Sequence, residues 1–211
     1  RAMVGLQTDA ARDRPGASEE EVVRYLEQAR EFLAPAPPRL VAVGGLSGTG
    51  KSVLARALAP GLGAAPGAVL LASDLIRKPE GAAAGRLGAQ AYTPQARGAV
   101  YDRMLDRATE LLEAGRTVLL DATFLDPAQR AAAARVADAA GMPFDGLWLT
   151  APRAVLEQRV AGRRGDASDA DLAVLHRQLE SDPDTPRDWS RLKAGEDPAQ
   201  TLAAAQNALE R

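Results

Sequence analysis

Residues 40 to 52 read Leu-Val-Ala-Val-Gly-Gly-Leu-Ser-Gly-Thr-Gly-Lys-Ser, an apolar run that breaks into glycines and ends on Lys51-Ser52. Gly45, Gly50, Lys51 and Ser52 fit the P-loop spacing G-x-x-x-x-G-K-[ST]. An apolar strand pattern precedes the motif and an Ala/Leu-rich helical pattern follows it, which is the context a P-loop requires. Glycines at 45, 48 and 50 let successive N–H groups turn inward. A helix starting near Lys51 adds the positive end of its dipole, and the two together make an anion cradle. The stretch therefore predicts that Gly45, Leu46, Ser47, Gly48, Thr49, Gly50, Lys51, Ser52 and Val53 hold a nucleoside triphosphate. Lys51 is expected on the β- and γ-phosphates and the Ser52 hydroxyl on a magnesium ion.

Composition narrows what surrounds this loop. With 211 residues, 46% hydrophobic content and net charge -2, the chain reads as one well-buried domain with at most a small appendage. The near-neutral balance argues against a surface built to coat nucleic acid or anionic membrane, although local basic clusters leave nucleic acid in play. There is no cysteine, which excludes disulfides, thiolate catalysis and Cys-based zinc sites. No apolar stretch reaches transmembrane length and no signal core is present, so a cytoplasmic, membrane-free protein is expected. The chain starts on Arg1, which suggests a piece of something longer.

Outward from the loop, strand and helix signals alternate. On the N-terminal side, Ser18 caps a helix that the run Pro35 to Pro38 stops, so residues 1 to 39 read as a helix and linker and 40 to 211 as the P-loop domain. On the C-terminal side, Val69 to Leu71 forms a second strand and runs into Ser73-Asp74-Leu75-Ile76-Arg77-Lys78. Residues 79 to 92 are rich in Gly and Ala with few core anchors, and read as a mobile segment over the site. Thr93-Pro94 starts a long helix through Glu113, Thr117 to Leu120 is a strand, and Asp126-Pro127 opens a helix that Gly141 closes. Gly146 to Leu149 is a strand, and Pro152 begins a helix carrying Arg159, Arg163 and Arg164 that Gly165-Asp166-Ala167 breaks. Ser168 recaps a helix to about Glu180, Trp189 to Lys193 is the fifth strand, and Pro198 to Leu209 the last helix. The alternation predicts an α/β three-layer sandwich with a five-stranded parallel sheet and a helical lid, its ligands beyond the strands' carboxyl ends.

Three features narrow the chemistry. Asp74 and Arg77 follow strand two, where a carboxylate and a guanidinium would face the γ-phosphate across the acceptor space, although an Asp at that position also serves as a helix cap. Arg159 and Arg163 are four apart on a helix face, so both can point at one phosphate chain from a lid, or lie on a solvated surface. Asp121 ends strand three, where a P-loop protein commonly keeps a magnesium-orienting carboxylate. His176 is the sole histidine and is assigned a structural role; Tyr101 and Trp148 read as core.

Residues 40 to about 195 resemble the small P-loop kinases that include phage-type polynucleotide kinase, the zeta toxins and chloramphenicol phosphotransferase. Ser73 to Lys78, Asp121-Ala-Thr-Phe124, Arg159 to Arg164 and Gly165 to Ala170 look most like a bacterial subgroup of kinases often fused behind an aminoglycoside-phosphotransferase-like domain, whose trailing end residues 1 to 39 would then be. The resemblance implies Lys51 and Ser52 on ATP and magnesium, Asp74 as base, Arg77 near the acceptor and the lid arginines Arg159 and Arg163 on the transferring phosphate. Arg130 matches a recurrent arginine after the Asp-x-Thr element, and Thr123 of that element is placed with it on the acceptor side. The catalytic set is thus Asp74, Lys51, Arg163 and Arg159, and the metal set Ser52 and Asp121.

The leading expectation is a magnesium-dependent enzyme moving the γ-phosphoryl group of ATP to a hydroxyl of a small molecule or nucleotide. GTP is an alternative donor. A nucleotide-hydrolysing module that regulates a fused partner shares the loop and the lid but needs no proton acceptor beside an acceptor hydroxyl. A polynucleotide 5′-kinase is disfavoured by the net charge yet kept open by Arg77, Arg86, Arg97, Arg103 and Arg107.

Overall fold

A computed structural model describes residues 3–5, 7, 18–33, 37–77, 93–162, 172–180, 186–195 and 197–210. The chain divides into two compact units, Arg1–Ala36 and Pro37–Arg211. In the first, helix α1 spans Glu19–Leu33, with three glutamates in its first turn complementing the helix dipole and Val22 buried.

The second unit runs β1 (Leu40–Gly45), α2 (Lys51–Leu58), β2 (Val69–Ala72), α3 (Ser73–Arg77), α4 (Pro94–Glu113), β3 (Val118–Asp121), α5 (Pro127–Ala139), β4 (Phe144–Thr150), α6 (Arg153–Ala161), α7 (Leu172–Glu180), β5 (Ser190–Lys193) and α8 (Pro198–Leu209). The five strands form one sheet in the order β2-β3-β1-β4-β5. Every pairing is parallel.

The central strands are apolar on both faces because both faces are covered. Alternate side chains of β1 point opposite ways: Leu40 and Ala42 pack with Val118, Leu120 and the α4 and α5 residues Met104, Ala108, Leu112, Ala133 and Ala137. Val41 and Val43 pack the other way, with Leu119, Leu147, Leu149 and the α2 and α8 residues Leu54, Leu58, Ala205 and Leu209. Helix, sheet and helix layers follow directly from that period-two pattern. Burial of each such Leu or Val contributes roughly 1.5–3 kcal/mol, so the sheet centre is where the fold is anchored.

Helices α4, α5 and α8 start alike. Thr93, Asp126 and Asp197 each accept a hydrogen bond from a first-turn amide, at 3.2, 2.8 and 2.9 Å, and each is followed by a proline whose missing N–H costs nothing there. The expected strands and the helices from Pro94, Pro127 and Pro198 appear where the sequence placed them, but the helix expected to carry Arg159, Arg163 and Arg164 ends at Ala161, where Gly162 caps it. Ser73–Arg77 forms a five-residue helix, a length over which helical periodicity leaves no readable trace. The expected mobile segment at 79 to 92, the recap at Ser168, and Arg163, Arg164 and Gly165-Asp166-Ala167 lie outside the described residues.

Candidate active site

The sheet register aligns the carboxyl ends of the central strands: Ala72 of β2 pairs with Asp121 of β3, and Val43 of β1 pairs with Asp121 from the other side. From Gly45 the chain curls around the Leu46 carbonyl, which accepts from the Thr49 hydroxyl at 2.8 Å and from Lys51 Nζ at 2.9 Å. Gly50 then takes φ 92°, a left-handed conformation that favours glycine, to turn into α2. No side chain caps α2, so its N-terminus presents backbone amides and a positive dipole end to whatever lies beyond the strands.

Two carboxylates flank this cradle. Asp121 is only 5% exposed and lies beside the Ser52 hydroxyl. Burial raises its pKa above the usual carboxylate range, and nearby Asp74 pushes the same way, against Lys51 and Ser52, which favour the charged form. The net upward direction means that Lys51 and Ser52 offset the burial only in part. A divalent cation would offset the rest, and the hydroxyl and carboxylate are the hard oxygen donors magnesium takes. Ser52 and Asp121 therefore fit a magnesium site, although no cluster of three or more metal-ligating side chains exists among the described residues. Asp74, in the first turn of α3, accepts from Arg77 Nη1 at 3.1 Å, a pair on the β2 side of the loop.

The turn after Asp121 is held from two sides. Phe124 has φ 50°, which costs a non-glycine residue roughly 1–3 kcal/mol. Its N–H donates to the Tyr101 hydroxyl at 2.9 Å, and its carbonyl accepts from Arg130 Nη1 at 2.7 Å. Arg130 also donates to Leu125 O at 3.0 Å and lies over the Trp148 ring. Burial pushes the Tyr101 phenol pKa up, and its hydroxyl also pairs with Thr123 Oγ1, 3.4 Å away.

On the β4 side, α6 and α7 pack through Leu156, Val160 and Leu175, with Leu46 of the loop against the same cluster. A Cβ at Gly48 would lie 2.9 Å from the Leu156 carbonyl oxygen, so only glycine lets the loop approach α6 this closely. Arg159 Nη1 reaches Gly48 O at 3.5 Å and its Nη2 donates to Gly195 O at 2.6 Å, joining the loop to the chain beyond β5. Glu157 Oε1 accepts from Arg153 at 2.9 Å and pairs with His176 Nε2 at 3.0 Å, linking α6 to α7; Arg153 and then His176 lower the Glu157 pKa.

The structure thus gathers Gly45 to Val53, Asp74, Arg77, Asp121, Thr123 and Arg159 at the carboxyl edge of the sheet, with Arg130 bracing the turn beside them. Arg163 lies outside the described residues. Sequence reasoning missed Gln178, whose Oε1 accepts the Ser47 N–H at 2.9 Å. A glutamine late in a helix gives no pattern that would have flagged it.

A parallel sheet whose central strand feeds a glycine-rich loop into an uncapped helix defines the P-loop class of α/β proteins. A family model described as an AAA domain matches residues 40–182, and the chain belongs to that family. Uncharacterized proteins of Mycobacterium tuberculosis and Mycobacterium bovis are 34% identical over 194 residues, 88% of this chain and 38% of each relative. The chain thus spans well under half the length of these relatives. Among solved structures it is similar to a sugar kinase of Janibacter sp. (TM-score 0.62, 22% identity, 82% of this chain and 95% of that one). A gluconokinase of Sinorhizobium meliloti gives 0.60, with 22% identity over 82% and 93%. The Mycobacterium tuberculosis APS kinase in complex with AMPPNP and APS gives 0.58, with 22% identity over 83% and 99%. At that identity the likeness establishes a shared fold. No described helix is long and apolar enough to cross a membrane.

Proposed function

We propose that the Pro37–Arg211 unit is an ATP- and magnesium-dependent phosphotransferase acting on a hydroxyl of a small molecule or nucleotide. The observation that carries the reading is the pair of aspartates at the ends of neighbouring strands, Asp121 against Ser52 and Asp74 against Arg77, beside an uncapped helix N-terminus. The two acids have different surroundings and so different tasks.

The loop amides and Lys51 hold the phosphate chain of the donor and fix the γ-phosphorus in place. Ser52 and Asp121 would hold magnesium, which supplies charge neutralisation on the phosphate oxygens when bound. Asp74, more exposed than Asp121, orients the acceptor hydroxyl and takes its proton as the acceptor oxygen bonds to the γ-phosphorus. The bond from that phosphorus to the β,γ-bridging oxygen breaks, and ADP leaves with the electron pair. Arg77 holds the Asp74 carboxylate in register. Arg159, fixed between Gly48 and Gly195, keeps the loop and the helical pair closed on the reacting groups.

A transfer screen of hydroxyl compounds with ATP and magnesium, read by product mass, tests the proposal. A phosphorylated acceptor supports it, whereas nucleotide depletion without one would replace it with a hydrolytic module.

A further inference from the structure

Leu46, Ser47 and Gly48, the first half of the phosphate loop, are each held by α6 and α7. Leu46 packs on the apolar contact between the two helices, the Ser47 N–H donates to Gln178 Oε1 of α7, and Gly48 lies under the Leu156 carbonyl with its own oxygen facing Arg159. The second half is held differently, Thr49 and Lys51 by the Leu46 carbonyl, with Ser52 beside Asp121. The α6 and α7 contact forms an apolar cluster of its own, apart from the two that cover the sheet faces. Its links to the phosphate loop therefore decide how the helical pair responds when the loop is loaded.

We propose that Gln178 is a positioning residue whose side-chain oxygen, bound to the Ser47 amide, keys the α6 and α7 pair to the phosphate loop, so that filling the loop with a triphosphate orders both. Ser47 is 5% exposed, so its amide has little access to water, and losing its acceptor leaves it poorly satisfied. Gln178 lies in the last turn of a helix that Leu175 anchors, which fixes the glutamine's reach. The hydrogen bond adds to the Leu46 packing and the Arg159 contact, and by itself is worth about a fivefold bias in a local equilibrium.

The inference rests on the proposed nucleotide site, and hydrogen exchange separates the two. Exchange is followed in residues 44–52 and 172–180 of the full chain, without ligand and with magnesium and AMPPNP, for the parent, Gln178→Met and Gln178→Glu. In the parent the nucleotide should slow exchange in both segments. In Gln178→Met, of similar length but without the amide oxygen, residues 46–48 should exchange about fivefold faster without ligand. Added nucleotide should then protect 44–52 as in the parent while protecting 172–180 severalfold less than in the parent. Gln178→Glu, which keeps an acceptor oxygen, should restore the slow exchange of 46–48 without ligand, and unchanged exchange in β1 controls for folding. If Gln178→Met behaves as the parent in both segments, the keying role is wrong. If it binds AMPPNP more tightly, Gln178 competes with phosphate instead of positioning the loop, which also overturns the proposal. A parent that shows no nucleotide protection would overturn the nucleotide site, while the ligand-free comparison at 46–48 still decides the role of Gln178.

Discussion

The buried carboxylate of Asp121, the last residue of β3, lies beside Ser52 in the first turn of α2, whose hydroxyl favours its charged form. The phosphate loop and the strand beside it meet at that pair.

Burial raises the Asp121 pKa, so this group favours the folded state most below the ordinary carboxylate pKa, and the contribution is lost as pH rises through the raised folded value. Asp121→Asn removes the buried charge. In metal-free buffer near neutral pH it should therefore stabilise the protein by about 1 kcal/mol, roughly 2–4 °C in Tm for a chain of this size. That advantage should shrink as pH falls through the carboxylate range. The same variant should need several-fold more magnesium for activity. Thermal melts against pH and a magnesium titration check the two halves; a variant less stable at neutral pH would mean that the Ser52 contact outweighs the desolvation.

Lys51→Ala should keep the loop's curl, because the Leu46 carbonyl keeps its bonds from Thr49, but should melt somewhat lower near neutral pH, because buried Asp121 loses the largest of the groups that favour its charged form. Turnover should fall by about 100-fold or more, since a charge aimed at the transferring phosphate is lost. Parental turnover in that variant would remove the phosphate loop from the chemistry.

Tyr101→Phe keeps the ring packed against Phe124, with centroids 5.4 Å apart, but leaves the buried Phe124 N–H without its acceptor. A loss of roughly 1–3 kcal/mol is expected, at roughly 2–4 °C in Tm per kcal/mol. Activity should drop too, because the turn that carries Thr123 next to Asp121 loosens. A melt like the parent's would show that Arg130 alone holds the turn.

Local chemistry made much of this fold readable before any coordinates. Thr93-Pro94, Asp126-Pro127 and Pro198 announce helix starts through a cap and a fixed φ, and all three helices start there. Alternating strand and helix signals announced a parallel sheet covered on both faces, and Gly45 to Ser52 announced the loop. Long-range polar contacts were not legible. Arg130 was placed with the acceptor by resemblance, and its Nη1 binds two carbonyls of the turn, a contact no spacing rule encodes. Gln178 meets Ser47 across 131 positions, and Tyr101 meets Phe124 from a neighbouring layer; both depend on how helices pack, which periodicity leaves open.

Kinase chemistry stands or falls on Asp74. Asp74→Asn is nearly isosteric and can still pair with Arg77, but it cannot accept a proton from an acceptor hydroxyl. The decisive measurement is nucleotide affinity and acceptor phosphorylation in this variant and the parent, with magnesium held saturating. Nucleotide affinity should stay within about twofold while transfer falls by roughly two to four orders of magnitude. Transfer at nearly the parental rate would contradict the account and return Asp74 to the role of a helix-start residue paired with Arg77.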